Sequence, residues 1–252
     1  MAKELPILKS ENDRNHRFAD CGAAPLSAGK NTAPQVVDEN TAPQGIGSNF
    51  VPRDIGSNSA AQVTIRAASE GDAPRLLEIY AYYVKNTAIT YEYDVPTLKE
   101  FEARIEKTLK KYPYLVALID GEIVGYCYAG AFHERPAYGW LAETTVYLHK
   151  NCRGRGVGRK LYETQEKVLT AQGFTKTVAL ITSPKTEEDK KVYHSIQFHK
   201  AMGYKMIGEI ENSGYKFSRW FTTAYMEKQL QPPQKNMPPV VSFSKVRGQF
   251  SL

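Results

Sequence analysis

The sequence predicts an α/β (α+β) domain with a mixed, mostly antiparallel sheet of about seven strands flanked by about four helices. Three observations support this fold class. Runs with the period of a strand alternate with runs that have the period of a helix. The pair Asp120-Gly121 separates two apolar runs and is typical of a β-hairpin turn. A glycine-rich loop, Arg153 to Gly158, follows an apolar run and precedes an amphipathic one.

The first half of the domain is predicted to contain a strand, two helices and a hairpin. "VTIRAA" alternates as a strand does, and "SEGDAPRLLEIYAYYVKN" is amphipathic, with Ser69 and Asp72 at capping-box spacing. A second capping box, Thr97 with Glu100, opens another helix. "YLVALID" and "IVGYCYAGAF" then flank the Asp-Gly turn, so we expect two antiparallel strands there.

The second half of the domain is predicted to alternate between strands and helices. "LAETTVYLHK" is a strand, and "GRKLYETQEKVLTAQG" is a helix that ends at Gly173. "TVALITS" is the next strand, followed by one helix over about residues 187–202 that stops at Gly203. "KMIGEIE" and "RWFTTAYMEKQL" are the closing strands. The predicted order is therefore β-α-α-β-β-β-α-β-α-β-β.

Two segments outside the domain differ from it in composition. Residues 1–61 are rich in Asn, Ala, Pro, Gly and Ser, and they repeat "NTAPQ" and "IGSN". Such a segment buries too little apolar area to fold, so we expect a low-complexity, disordered leader. The domain itself is predicted to span residues 62–229. Residues 230–252 are a Pro-rich tail, which we expect to lie extended along the domain surface.

Charge and cysteine content exclude several classes of protein. A net charge of +6 and a pI near 9.0 fit polyanionic partners and phosphorylated small molecules equally well. Cys21, Cys127 and Cys152 are too scattered for a disulfide framework or a zinc site. No run of eighteen apolar residues is present, and the first residues are charged where a signal peptide is apolar. We therefore expect a cytoplasmic protein with no metal and no membrane partner.

The glycine-rich loop has the features of an anion site. It opens a helix, so its amide groups are free and lie at the positive end of the helix dipole. Arg153 and Arg155 add charged donors, and the glycines permit close approach. The spacing fits neither GxGxxG nor a P-loop. A small phosphate ligand fits this arrangement best, and a solvated basic turn and a nucleic-acid contact stay open as alternatives.

The loop also resembles a known motif. Arg153-x-x-Gly156-x-Gly158, between a strand and a helix, is similar to the (Q/R)xxGx(G/A) motif of the Gcn5-related N-acetyltransferases (GNAT). The resemblance covers residues from about 63 to 230 and is strongest in "LAETTVYLHKNCRGRGVGRKLYE", "ERPAYGW", "SIQFHKAMGY" and "GYKFSRW". Together these stretches resemble the phosphinothricin and methionine sulfone acetyltransferase branch.

The resemblance implies acetyl-CoA as co-substrate. In that family the loop amides hold the pyrophosphate, and the preceding strand pairs with the pantetheine arm. Ser195 matches a serine of the cofactor site, but Val192 stands where the family often has Asn. The cofactor-binding residues implied in this way are Val146, Tyr147, Leu148, Arg153, Gly154, Arg155, Gly156, Val157, Gly158 and Ser195.

Glu143 is the predicted general base. In a strand, Glu143, Thr145 and Tyr147 share one face, and Ala142, Thr144, Val146 and Leu148 share the other. The resemblance places a glutamate at this position beside the cofactor strand. An ordinary Glu is a weak base for an ammonium group, so we expect partial burial or a bridging water.

The acceptor is expected to be a small amino acid or analogue. Such an acceptor carries a carboxylate, which a guanidinium binds with two hydrogen bonds. By resemblance Arg135, in the loop before the strand of Glu143, would bind that carboxylate. The other residues that the resemblance places around the acceptor are Tyr91, Glu92, Tyr138 and Tyr215.

His199 has two possible roles. It lies just before Gly203, where many acetyltransferases of the superfamily have a tyrosine that protonates the departing thiolate. It is therefore predicted either as a general acid or as a packed structural histidine.

These observations predict an N-acetyltransferase that acts by direct attack in a ternary complex. Homodimers are usual in the branch that the chain resembles, and no nucleic-acid partner is expected. Two alternatives stay open: an acetyltransferase for another amine, such as a polyamine, aminoglycoside or protein N-terminus, and a non-catalytic module that binds acyl-CoA or nucleic acid.

Overall fold

The computed structural model describes residues 62–252, so the predicted leader lies outside the described residues. The strands are β1 (Thr64–Ala67), β2 (Tyr114–Ile119), β3 (Glu122–Ala131), β4 (Leu141–Leu148), β5 (Lys176–Ser183), β6 (Lys205–Lys216) and β7 (Arg219–Gln229). The helices are α1 (Ala73–Asn86), α2 (Leu98–Leu109), α3 (Val157–Gln172), α4 (Glu187–Val192), α5 (Ser195–Ala201) and α6 (Phe243–Val246). Residues 62–252 thus contain six α-helices where about four were expected.

The seven strands form one mixed sheet in the order β1-β2-β3-β4-β5-β7-β6. Every neighbouring pair is antiparallel except β4 and β5, which run parallel. The parallel ladder has only three residue pairs, from Leu141 with Lys176 to Glu143 with Val178. Beyond Glu143 the two strands no longer pair. The predicted mixed, mostly antiparallel sheet is confirmed.

Local sequence signals explain the hairpin and the second helix. Asp120 and Gly121 have φ of 51° and 83°, and two positive φ values are what a two-residue turn of type I′ requires. At the start of α2 the backbone N–H of Thr97 donates to the Glu100 carboxylate at 2.7 Å, and the Glu100 N–H donates to the Thr97 hydroxyl at 3.3 Å. This reciprocal pair is the predicted capping box.

The helices cover the two faces of the sheet differently. On one face, the Thr144 hydroxyl of β4 donates to Gln165 of α3. On the other, the Tyr147 ring packs against Tyr80 and Tyr83 of α1, with ring centroids 5.1 and 5.0 Å apart. The predicted division of β4 into two faces is therefore confirmed. Glu143 shares the face of Tyr147, the one covered by α1.

The single helix predicted over residues 187–202 is wrong. The structure has two helices: α4 ends at Val192, and the next residue, Tyr193, has φ of −101° and ψ of 86°, which are not helical. Tyr193 is 5% exposed and packs with Ala88 and Phe221. Its hydroxyl accepts a hydrogen bond from the Ala88 N–H at 3.2 Å. These tertiary contacts override the helical period of the local sequence.

The C-terminal segment is packed more deeply than a surface tail. The Trp140 indole donates to the Pro238 carbonyl at 2.8 Å, and the Val241 N–H donates to the Gln172 carbonyl at 2.9 Å. Phe243 and Val246 are 1% and 4% exposed and belong to the main hydrophobic core. Residues 230–252 thus supply part of the core. Within residues 62–252, no helix has the length and apolar character needed to cross a membrane.

Candidate active site

The loop before α3 forms an electropositive helix terminus. Gly154 and Gly156 have φ of 75° and 76°, and Gly156 is the N-cap of α3. The Lys160 N–H donates to the Gly156 carbonyl at 3.0 Å. Amide groups earlier in the first turn have no partner within the helix. The helix dipole contributes roughly 0.3–1 kcal/mol to binding an anion here. The predicted anion site therefore has the required geometry.

The four basic residues of this region have different surroundings. Arg153 and Arg155 are exposed, and the Arg153 guanidinium lies 5.4 Å from the centroid of the Tyr83 ring. Arg159 contacts Glu163 at 3.6 Å, and the Lys160 ammonium donates to the Val63 carbonyl. Arg159 and Lys160 thus contact an acidic side chain and a backbone carbonyl, whereas Arg153 and Arg155 are exposed beside the loop amides.

A cavity of about 370 Å³ extends from this loop between β4 and α5. We call it the β4–α5 cavity. A glycine in α3 keeps this region uncrowded, because a Cβ at Gly158 would lie 3.3 Å from the Phe198 ring, a tight contact, and 3.5 Å from a Leu148 methyl group. The residues that line it are Tyr83, Ile89, Val146, Leu148, Arg153, Gly154, Gly158, Val192, His194, Ser195 and Phe198. The apolar lining next to a cationic rim fits a long ligand with a phosphorylated end.

The backbone of β4 offers hydrogen-bonding groups to this cavity. The His149 N–H donates to the Val124 carbonyl of β3 at 2.8 Å. Successive residues of a strand direct their backbone groups to opposite sides, so those of Val146 point away from β3. The β4–β5 ladder ends at Glu143 and Val178. The N–H and C=O groups of Val146 therefore face the gap that opens between β4 and β5.

The hydroxyl of Tyr83 fixes the end of β4. It donates to the Leu148 carbonyl and accepts from the Leu148 N–H at 3.2 Å. Val146 and Leu148 both direct their backbone groups away from β3. The N–H and C=O groups of Leu148 are already paired with the Tyr83 hydroxyl. Val146 is the better position for pairing with a ligand.

Glu143 lines a second cavity, of about 300 Å³, which we call the Glu143 cavity. The two cavities share Ile89, Val146 and Ser195 in their walls. The other residues that line the Glu143 cavity are Tyr80, Thr90, Glu92, Tyr128, Thr144, Thr145, Tyr147, Tyr162, Ala179, Leu180 and His199. Because the shared residues lie where β4 and β5 separate, the two cavities meet at that gap.

Burial changes the acid–base properties of Glu143. Loss of solvent raises the pKa of its carboxyl group above the usual value for Glu. Burial also raises the pKa of Tyr128 to about 12, so this neighbour stays neutral. A carboxylate with a raised pKa is a stronger base than an exposed one. The expected partial burial of Glu143 is present.

His199 is enclosed by hydrogen-bond partners. It is 3% exposed, with Nδ1 2.7 Å from the Ser195 carbonyl oxygen and Nε2 3.0 Å from the Tyr162 hydroxyl. A carbonyl only accepts, so Nδ1 carries the proton and Nε2 accepts from Tyr162. Burial lowers the pKa of His199 to about 4, which leaves it neutral at pH 7. Of the two predicted roles, this geometry favours the packed structural histidine.

The residues predicted to bind the acceptor do not all lie together. Glu92 lines the Glu143 cavity and pairs with Arg104 at 2.7 Å. Arg135 and Tyr138 are exposed in the loop between β3 and β4. Neither lines one of the two cavities described.

Tyr91 and Tyr215 are near β6 and β7. The Tyr91 hydroxyl lies 3.2 Å from the Thr223 hydroxyl, and its ring packs so closely on Gly214 that a Cβ there would lie 2.4 Å from it. Tyr215 is 46% exposed, and its ring is tilted against that of Trp220, with centroids 5.2 Å apart. Both residues lie outside the two cavities.

Arg155, Gly156 and Val157 also line neither cavity. Arg155 and Gly156 form the exposed rim of the loop, and Val157 is 1% exposed in the main hydrophobic core. Their backbone groups belong to the helix terminus that the loop forms.

Tyr83 and Ile89 line the β4–α5 cavity but were not predicted from the sequence as site residues. Tyr83 lies one residue from Val84 on the buried side of α1, and no motif distinguishes it from a core residue. Ile89 is an apolar residue in the polar run "NTAIT" between two helices. An isolated apolar residue in a loop was the one signal available for it.

Fold and site together define an acyltransferase in which an electropositive helix terminus and an apolar cavity lie beside a partly buried carboxylate. The chain belongs to the GNAT family: the model of the acetyltransferase (GNAT) domain matches residues 65–224. Among residues 62–252, no group of His, Cys, Asp and Glu side chains could hold a metal ion.

Relatives of known activity and structure agree with this assignment. Phosphinothricin N-acetyltransferase of Streptomyces viridochromogenes is 30% identical over 176 residues, which are 70% of this chain and 92% of that protein. L-methionine sulfoximine/L-methionine sulfone acetyltransferase of Pseudomonas aeruginosa is 30% identical over 171 residues, 67% of this chain and 95% of that protein. A phosphinothricin acetyltransferase from Sinorhizobium meliloti, solved with AcCoA, superposes with a TM-score of 0.64 at 33% identity, covering 72% of this chain and 98% of the other.

Proposed function

We propose that the protein transfers the acetyl group of acetyl-CoA to the amino group of a small amino acid or analogue, of the phosphinothricin or methionine sulfone type. The observation that carries this proposal is the junction of the two cavities at Ile89, Val146 and Ser195. A thioester in one cavity and an amine in the other would meet there without a covalent enzyme intermediate. The names of the relatives support the acceptor class.

The residues around the β4–α5 cavity fit acetyl-CoA, which supplies an acetyl group activated as a thioester. The amides of the loop from Arg153 to Gly158, the first turn of α3 and the two loop arginines would hold the pyrophosphate. The free backbone groups of Val146 would pair with the pantetheine arm. Tyr147 contributes through its backbone position in β4, because its ring is buried against α1.

Glu143 would act as the general base. Its carboxylate accepts the proton that the acceptor ammonium loses before attack, directly or through one water. Positioning of the two substrates supplies much of the acceleration in such a mechanism, and the base adds about 10²–10⁴-fold. Cys127 and Cys152 are buried with raised pKa values, so neither has the thiolate character of a nucleophile.

Arg135 would bind the acceptor carboxylate from the loop that precedes β4. The β3–β4 register pairs Ala131 with Ala142, next to Glu143, so this loop begins at the end of the sheet where Glu143 lies. Tyr138, Tyr91, Glu92 and Tyr215 are retained as the proposed surroundings of the acceptor. His199 would keep Tyr162 and Ser195 in place and is a weaker candidate for the general acid.

A second acceptor class is favoured by one observation. Two carboxylates, Glu143 and Glu92, line the Glu143 cavity. An acceptor with a second amino group, such as a polyamine, would place a cation near them. This class is the alternative to an amino acid.

We also propose a homodimer. β6 is an edge strand of the sheet, and its unpaired backbone groups are available to a second chain. It exposes Met206, Ile207 and Ile210, which are 39%, 54% and 51% exposed. Antiparallel pairing of two β6 edges would cover these side chains symmetrically. Light scattering of the protein and of an Ile207→Lys, Ile210→Lys variant tests this: a dimer that becomes monomeric is expected, and a monomeric parent protein contradicts it.

Thiol release from acetyl-CoA tests the function. Phosphinothricin, methionine sulfone, methionine sulfoximine, the twenty amino acids and a set of polyamines and aminoglycosides are compared side by side. Fastest release with an amino-acid acceptor is expected. Fastest release with a polyamine or aminoglycoside would favour the alternative acceptor, and no release with any amine would contradict a catalytic role.

A further inference from the structure

Residues 192–195, at the junction of α4 and α5, point their side chains in two directions. Val192, His194 and Ser195 line the β4–α5 cavity. Tyr193, between them, faces away from it and is 5% exposed. Its ring lies edge-on to Phe221, with centroids 6.3 Å apart. One short segment therefore contacts both the proposed cofactor cavity and the interior behind it.

Tyr193 holds the loop that joins α1 to α2. Its hydroxyl accepts from the Ala88 N–H at 3.2 Å, and Thr182 of β5 donates to the carbonyl of the same residue. The Lys216 ammonium of β6 donates to the carbonyls of Thr87 and Thr90, both at 2.9 Å. Three elements distant in sequence thus fix the backbone of residues 87–90.

The residues held in this way lie where the two cavities meet. Ile89 follows Ala88 directly and lines both cavities, and Thr90 lines the Glu143 cavity. Ala88 is fully buried, so the loop cannot shift there without displacing its neighbours. The position of the Ala88 peptide therefore sets the position of Ile89.

The backbone of Tyr193 is itself held by a hydrogen bond to α4. Its N–H donates to the Asp189 carbonyl at 2.8 Å. The Asp189 carboxylate pairs with Arg219 of β7 at 2.6 Å and is buried. The α4–α5 junction is thus held to β7 through Asp189, and the Tyr193 hydroxyl holds it to the α1–α2 loop.

We infer that Tyr193 is a positioning residue that couples the two cavities. A ligand seated against Val192, His194 and Ser195 fixes Tyr193, which fixes Ala88 and Ile89 in the wall of the Glu143 cavity. The acceptor then binds more tightly when the first cavity is filled. The coupling is reciprocal, because each ligand stabilises the same arrangement of the wall. The identity of the two ligands rests on the proposed function.

Steady-state kinetics of Tyr193→Phe test the positioning role. The change removes one hydroxyl and leaves Ala88 N–H buried without its partner, so we expect the acceptor KM to rise about five- to tenfold. By the same reciprocity, the acetyl-CoA KM at saturating acceptor should rise by a similar factor, whereas kcat and the binding of CoA in the absence of acceptor should change less than about twofold. Thr182→Val, which removes the partner of the Ala88 carbonyl, should have the same effect. Tyr112→Phe is the control, since Tyr112 packs on Phe174 away from both cavities. An unchanged acceptor KM in both loop variants, or an equally large loss of CoA binding in the absence of acceptor, would overturn the inference.

Amide hydrogen exchange of the loop is a readout independent of turnover. CoA should slow exchange in a peptide covering residues 87–91 of the parent protein, and Tyr193→Phe should lose most of that protection. Calorimetry on the same samples measures CoA binding. Binding without any change in exchange would overturn the coupling and leave the proposed function intact. Absence of CoA binding would contradict the proposed function and the coupling together.

Discussion

Glu143 and His199 line the same cavity from opposite faces of the sheet. Glu143 lies on the face covered by α1, whereas His199 lies beside Tyr162 of α3 on the other face. They reach one cavity because the β4–β5 ladder stops after three pairs and the strands separate. The broken ladder therefore opens the sheet at the point where Glu143, the proposed base, lies.

Replacing the proposed base should slow the reaction and change its pH dependence. Glu143→Gln keeps the shape of the side chain but cannot accept the proton, so kcat/KM should fall about 10²–10⁴-fold at pH 7. In the parent protein, kcat/KM should fall as the pH drops through the raised pKa of Glu143, because the base becomes protonated. In Glu143→Gln, kcat/KM should no longer show this decrease at low pH.

Glu122→Gln is the control for Glu143→Gln. Glu122 begins β3, is exposed and lines neither cavity. The activity and pH profile of Glu122→Gln should match those of the parent protein. Full activity of Glu143→Gln at pH 7 would exclude Glu143 as the base.

The loop arginines should determine how salt affects cofactor binding. Arg153→Gln with Arg155→Gln should raise the acetyl-CoA KM about tenfold at low salt, because two charged donors are lost. The acetyl-CoA KM of the parent protein should rise with salt, and that rise should nearly vanish in the double variant. Lys167→Gln with Lys245→Gln removes the same two charges elsewhere and controls for net charge, since Lys167 lies farther along α3 and Lys245 in α6. A salt response that is the same in all three proteins would contradict an electrostatic role for the loop.

Arg135→Ala should separate the two substrates. If Arg135 binds the acceptor carboxylate, the acceptor KM should rise about 10–100-fold and the acetyl-CoA KM should stay unchanged. The amide of the same amino acid, which has no carboxylate, should react equally with both proteins. Equal effects on both KM values, or equal effects on the acid and its amide, would reject this role.

His199 should make stability depend on pH in a defined window. Its pKa is about 4 in the folded protein and near 6.5 when unfolded, so only the unfolded chain gains the proton between these values. The contribution of His199 should therefore lower the free energy of unfolding by about 2 kcal/mol as the pH drops from 7 to 5. His199→Gln should remove that part of the dependence in urea titrations. His133→Gln, an exposed residue, should retain it. An unchanged slope in His199→Gln would show that His199 is not buried as a neutral group.

Short-range signals in the sequence were sufficient for much of the fold. The Asp120-Gly121 turn requires positive φ values that glycine permits, and Thr97 with Glu100 satisfies the free N–H groups of a helix start. The period of β4 also placed Glu143 on the correct face. Each of these features depends on residues a few positions apart, so local sequence could predict it.

Features that depend on distant contacts could not be predicted. The helix break at Tyr193 exists because of Ala88 and Phe221, which are remote in sequence. The same is true of Ile89, which reaches both cavities only after the α1–α2 loop folds onto β5. Neither the junction of the cavities nor the separation of β4 from β5 has a local signal in the chain.

The packing of the last helix matters to anyone who trims or fuses this domain. The family match ends at residue 224, yet Phe243 and Val246 fill the same core as Leu161. Phe250 and Leu252 also pack against that core. A protein truncated at residue 224 would therefore expose the part of its apolar core that Phe243 and Val246 cover. A reporter joined to this chain should follow Leu252 through a linker long enough to leave the final helix seated.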